Sequence, residues 1–148
     1  MKRDPGDIVD RFSIACLKKE NIGCVDSILE AAMFRKGFVE LKKEFPHVQW
    51  QEVFSLLFHI NKQIWELESA LRQGMMDVTP LQCGKVAIEV RKVNSKRVTV
   101  KNYINRALRE GTQDVKQDHI SSGTPEDFIS FEEFCAQYVL PRRNGIHR

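Results

Sequence analysis

The chain has 148 residues, 42% hydrophobic and 29% charged, with nine Phe, two Trp and a formal net charge of +3. That supports one domain around one core and argues against wholesale disorder, while no apolar run approaches the roughly 20 residues needed to span a bilayer. Four scattered cysteines without a C-x-x-C pair, and a charged N-terminus that meets no long apolar stretch, point to reduced thiols in a cytoplasmic protein.

In chain order, Asp7 is a candidate cap for a first helix running to about Glu20, with Ile8, Phe12, Ala15 and Cys16 on one face. Asn21 and Gly23 interrupt it. A second helix is predicted from Val25 to Glu44, its core stripe formed by Val25, Ile28, Leu29, Ala32 and Met33. Phe34, Phe38, Leu41 and Phe45 form a neighbouring stripe, Gly37 weakens the middle, and Pro46 is the stop. The third helix is the clearest: Trp50, Val53, Phe54, Leu57, Ile60, Ile64, Leu67 and Leu71 recur at threes and fours, and Gly74 closes the run.

Thr79-Pro80-Leu81-Gln82 opens a fourth helix with a capping box and a proline at the first helical position. Its core line is Val86, Val90, Val93, Arg97, Val100, Ile104 and Ala107, a heptad seam with one arginine inside it, and Gly111 ends it. Ser121-Ser122-Gly123 reads as a loop and Thr124-Pro125-Glu126-Asp127 as the start of a turn. Ser130-Phe131-Glu132-Glu133 is a second capping box, opening a short helix to about Val139. The expected architecture is all-α: a helical bundle of four main helices, with a long antiparallel hairpin made by the third and fourth, and a short C-terminal helix. Residues 1–111 form the core and 112–148 an appendage packed outside it, ending in a flexible basic tail.

Charge is segregated along the chain. Residues 82–110 carry eight Lys/Arg against two acids, and residues 112–139 carry six acids against Lys116. A basic helix can track phosphates, but the acidic segment supplies its own countercharge, and no nucleic-acid-binding motif accompanies it. His47, His59, His119 and His147 have no ligand-type partner at helical spacing, so the sequence predicts no metal site and no cofactor. Glu66/Glu68 and Glu40/Glu44 lack the spacing or surroundings of a magnesium-binding carboxylate pair. Ser55 and His59 read as a polar strip beside the core, and the cysteines as small buried apolar residues.

Polar residues within or beside apolar stripes remain: Asp10 and Arg11 next to Phe12, Asn61 after Ile60, Glu68 after Leu67, and Arg97 in the seam with Asn94 and Lys101 a turn away. An inward guanidinium requires a carboxylate, which Asp10, Glu68 or another acid would supply. Such a centre either fixes helix register or lines an anion pocket between helices.

Three stretches together resemble a known family. They are Asp7-Ile8-Val9-Asp10-Arg11-Phe12-Ser13-Ile14, then Ile60-Asn61-Lys62-Gln63-Ile64-Trp65-Glu66-Leu67-Glu68, then residues 86–105 with Asn94, Arg97, Lys101 and Asn105 in register. The family comprises small helical proteins of unknown function from bacteria and phages, often encoded near glycosyltransferases and surface-sugar genes. The resemblance covers residues 7–108 and implies a helical fold with a shared polar centre at Asp10, Arg11, Asn61, Trp65, Glu68, Asn94, Arg97, Lys101 and Asn105. It implies no reaction, and by association an accessory role in a sugar pathway.

The first functional expectation is therefore a non-enzymatic interaction or accessory protein, partnered by another protein or self-associating through apolar surface around Phe58, Trp65 and the 34–45 stripe. The second is a binder or enzyme acting on a phosphorylated small molecule, a nucleotide or nucleotide-sugar, at the Arg97 centre. The third is a nucleic-acid binder using residues 82–110. No membrane partner is expected.

Overall fold

Helix boundaries fall where backbone chemistry stops or starts the periodicity. The computed structural model describes residues 3–73, 79–109, 125 and 127–141. Five helices lie among them: α1 (Pro5–Asn21), α2 (Val25–Glu44), α3 (Trp50–Gln73), α4 (Pro80–Leu108) and α5 (Phe131–Tyr138). The all-α expectation holds. Both capping boxes form as predicted. The Gln82 amide donates to Thr79 Oγ1 at 3.2 Å while the Thr79 amide donates to Gln82 Oε1 at 3.0 Å. At α5 the Glu133 amide donates to Ser130 Oγ at 3.1 Å, and the Ser130 amide donates back at 2.8 Å. That returning bond holds the Glu133 carboxyl below its ordinary value.

The start of α1 differs from the sequence expectation. Asp4 is the N-cap and Pro5 the first helical residue, so Asp7 lies in the first turn. Proline there forgoes only an amide that has no intrahelical acceptor. The Gly6 amide is taken by Asn105 Oδ1 of α4 at 2.8 Å. Gly6 is also where the two helices approach most closely in this region: a Cβ on it would stand 2.5 Å from the Lys101 carbonyl oxygen. Gly6→Ala should therefore cost about 1–3 kcal/mol in urea unfolding, the usual penalty for overpacking against atoms that cannot move aside. A cost near zero would mean that α1 and α4 do not touch there. At its other end, α1 turns into α2 through Gly23 at φ 69°, a left-handed conformation that suits glycine. α4 ends at Arg109, also left-handed at φ 54°; the predicted stops Gly74 and Gly111 lie outside the described residues.

α3 and α4 pack together as the expected antiparallel hairpin, with Asn61 of α3 and Arg97 of α4 both reaching Asp10 Oδ1. α1 lies along this pair and packs on both helices, and α2 folds back over α1. Gly37 of α2 allows close approach to Ile8, whose Cγ2 would be 3.3 Å from an added Cβ. Phe12, Phe38 and Phe54, one from each of α1, α2 and α3, meet with ring centroids 5.0–5.7 Å apart. Trp50 stands edge-on to Phe38 and donates its indole N–H to the Phe45 carbonyl at 2.8 Å.

Three sequence expectations are corrected by packing. The stripe Val25, Ile28, Leu29, Ala32 and Met33, assigned above to the core, faces outward, with Val25 70%, Leu29 62% and Met33 58% exposed. α2 instead buries Ser27, Ala31, Phe38 and Leu41. In its first half the side that turns inward carries small Ser27 and Ala31, so the more apolar side is left outside and periodicity alone pointed to the wrong face. Consequently the 34–45 stripe is core rather than spare surface; Phe45 is buried and Phe34 packs against the cluster. Phe58 stacks on Phe54, half-buried.

The C-terminal helix is the third correction. α5 is not laid on the outside: Phe134 is 1% exposed and Tyr138 is buried, both within the same core as Trp50 and Tyr103. The chain after α5 pairs with the α2–α3 connection. Leu140 N–H donates to His47 O at 2.7 Å, Gln49 N–H donates to Tyr138 O at 2.8 Å, and Val48 and Val139 form an antiparallel bridge. A turn brings Phe128 N–H to Pro125 O at 3.1 Å. The expected loop at 121–123 and the basic tail after Pro141 lie outside the described residues. No described helix is long and apolar enough to cross a membrane.

Candidate functional site

The heptad seam of α4 turns Arg97 toward α1, where it meets Asp10. Asp10 is fully buried, so its carboxylate requires a compensating charge and hydrogen bonds. Arg97 supplies them: Nη2 donates to Oδ2 at 2.7 Å, and Nε lies 3.0 and 3.1 Å from the two carboxylate oxygens. This side-on fork is the strong form of a guanidinium–carboxylate contact. Asn61 of α3 donates from Nδ2 to Asp10 Oδ1 at 3.0 Å and to Ser13 Oγ at 2.8 Å. The Ser13 hydroxyl donates to the Asp10 carbonyl at 2.7 Å, and Arg97 Nη1 donates to Asn94 Oδ1 at 3.1 Å. Lys101 Nζ stands 3.9 Å from Asp10 Oδ2 and equally far from Asp7 Oδ1.

Of the nine residues singled out above, Asp10, Asn61, Asn94 and Arg97 thus form one bonded network, with Lys101 at its edge. Arg11 does not join it. One position round the helix from Asp10, it is exposed and donates from Nε to Asp7 Oδ2 at 2.9 Å. Asn105 sits two turns beyond Arg97 and serves the start of α1. Trp65 and Glu68 touch no member of the network through a hydrogen bond; they line a groove beside it. Ser13 and Asp7 belong to the ensemble and were not singled out. Their signal was spacing: both stand three residues from Asp10, hence on its side of α1.

The network ties α1, α3 and α4 through a buried ion pair whose remaining lone pairs are occupied. The Ser13 proton is committed to a main-chain carbonyl, which leaves the hydroxyl unactivated in this arrangement. Next to it lies an open groove of about 460 Å³. Ile14 and Leu17 of α1, Ile64, Trp65 and Glu68 of α3, and Val90 and Arg91 of α4 line it, together with Asn61, Asn94 and Arg97 of the network. Among the described residues, no three His, Cys, Asp or Glu side chains cluster as a metal site would require. Ser55 and His59 are both exposed.

The basic helix is only partly available to an outside anion. Arg97 and Lys101 turn inward, Lys96 pairs with Asp127 at 3.3 Å, and the Arg106 guanidinium lies 4.0 Å from the Phe131 ring centroid. Cys16 and Cys135 border the core, and burial pushes their thiols up. Cys24 departs from the buried reading: it is exposed at the N-cap of α2, where the Ser27 amide pulls its thiol down. No family model matches the chain, and neither a curated protein nor a solved structure is significantly similar to it.

Proposed function

We propose that this protein is a non-enzymatic helical interaction module that associates with a second copy of itself through the outer face of α2. The observation that carries this reading is the exposure of Val25, Ile28, Leu29 and Met33 on one side of a helix whose opposite side is already in the core. A helix apolar on both sides is stable when both are covered, and contiguous exposed apolar patches mark interaction surfaces. The chemistry around the patch favours a like partner. Asp26 lies at its N-terminal end and Arg35 and Lys36 at its C-terminal end, all exposed. Antiparallel pairing of two α2 helices about a two-fold axis sets the acidic end of each copy toward the basic end of the other, and it opposes the helix dipoles. A homodimer also suits the accessory role that the family resemblance over residues 7–108 implies.

Sedimentation equilibrium under reducing conditions, which keep the exposed Cys24 from cross-linking, tests this. The expected species is twice the 17.2 kDa chain mass. Leu29→Arg should return it to one chain with an unchanged helical spectrum, because Leu29 contributes little to the core. A wild-type monomer throughout the concentration series, or a dimer unaffected by Leu29→Arg, would reject the α2 contact.

A further inference from the structure

The groove beside the Asp10–Arg97 pair contains an unspent hydrogen-bonding group. Asn61 is only 6% exposed. Its orientation is set by its neighbours: an ionised carboxylate accepts but cannot donate, so the Asn61 amide must turn Nδ2 toward Asp10, and its second N–H goes to Ser13 Oγ. Oδ1 is then left with no partner among the described residues, although it belongs to a side chain that lines the groove. An acceptor without a donor on a side chain this buried is uncommon in a folded protein. It is the kind of group a ligand satisfies.

We propose that this groove binds a nucleotide, with the base held between helices and the phosphate at the rim. Asn61 Oδ1 accepts an N–H from the base edge. Asn94, whose own Oδ1 is engaged by Arg97, has Nδ2 to donate to an adjacent ring nitrogen or carbonyl. One acceptor and one donor from neighbouring amides complement the paired donor and acceptor that nucleobases carry along their edges. The half-buried Trp65 indole supplies a stacking face, and aliphatic Ile64 and Val90 supply the apolar surface a flat ring requires and a hydroxyl-covered sugar does not. The volume, about 460 Å³, falls within the ordinary range for small-molecule sites. Arg91, exposed on the groove wall and in no ion pair among the described residues, is the cation for the phosphate. Arg97 itself positions Asn94 and Asp10 rather than meeting the anion. The site stands apart from the α2 face, so the two proposals stand or fall separately.

The test is titration of the full-length protein with AMP, GMP, CMP and UMP, read by calorimetry and by quenching of the tryptophan emission, assigned to Trp65 by its absence in Trp65→Leu, with adenosine, ribose 5-phosphate and inorganic phosphate as further arms. The expected result is saturable binding of at least one nucleotide with quenching, and binding of its nucleoside about tenfold weaker. Arg91→Glu should bring the nucleotide down to the affinity of the nucleoside and leave the nucleoside unchanged. Trp65→Leu should weaken both by at least about tenfold, the loss of one stacking contact. Neither variant touches the Asp10 network, so both remain informative if Asn61→Ala fails to fold. No saturation by any nucleotide at millimolar concentration overturns the proposal. So does equal affinity for ribose 5-phosphate, which would show that the base is not recognised, or a marked preference for single-stranded oligonucleotides over every mononucleotide.

Discussion

Replacing Arg97 by leucine is expected to lower the unfolding free energy by about 3–5 kcal/mol, the range seen when one partner of a buried ion pair is removed. The two partners should not be equivalent. The Arg97 side chain keeps 27% of its surface, whereas that of Asp10 keeps 1%. Without Asp10 the guanidinium can swing toward water; without Arg97 the carboxylate has nowhere to go, and only Asn61 and the more distant Lys101 remain to it. Asp10→Asn should therefore cost less than Arg97→Leu, about 2 kcal/mol, as the carboxylate charge is lost and the new amide nitrogen cannot accept from the guanidinium. Because the penalties share one cause, Asp10→Leu combined with Arg97→Leu should cost clearly less than the two single changes added, with a coupling of about 2 kcal/mol or more. Urea titrations of the four variants and the wild type supply these numbers. Additive effects, or an Arg97→Leu protein as stable as wild type, would remove the pair as the tie between α1 and α4.

The second large effect is expected at Phe134. Truncation to alanine removes a side chain that is fully buried and in ring contact with Tyr103 and Tyr138 at centroid distances of 5.3 and 5.0 Å. The expected cost is about 3–5 kcal/mol, combining lost transfer energy with the cavity left behind. The informative readout is where the loss is felt. Trp50 lies in the same core, on α3, so its fluorescence, read in a Trp65→Phe background, should report the full shift in midpoint with one cooperative transition. If α5 were only an appendage, far-ultraviolet helicity would show a small early loss while the Trp50 transition stayed in place. The main-chain bonds from Leu140 to His47 and from Gln49 to Tyr138 favour the cooperative outcome, since they clamp the end of α5 to the entrance of α3.

Both predictions rest on contacts of very different legibility. The need for an acid at Arg97 could be read from the seam itself: an arginine at a heptad core position requires compensation whatever the rest of the fold does. That Asp10 rather than Glu68 provides it was not legible. Both lie beside apolar stripes, and the choice depends on the level at which α1 crosses α4. The close approach at Gly6 and the Asn105 bond to its amide help set that level. The groove has the same origin. Glu68 was grouped with the polar centre by spacing and Trp65 by the family resemblance, but a concave surface exists only once three helices diverge around it.

Local signals therefore decided the helices and their ends: the Thr79 and Ser130 capping boxes, Pro46, Gly23 and the apolar spacing of α3 act over a few residues, and short-range geometry suffices to read them. Faces were not decided by the apolar pattern alone. In the first half of α2 the inner side carries only the small Ser27 and Ala31, against α1, and the larger Leu29 and Met33 are left outside, while Phe38 and Leu41 of the second half enter the core. The inclusion of α5 in the core is likewise a tertiary outcome. Its eight residues bury too little alone, and they gain a core by meeting Tyr103 and the start of α3. Periodicity records which residues seek burial; the order in which helices fill a shared volume decides which of them obtain it.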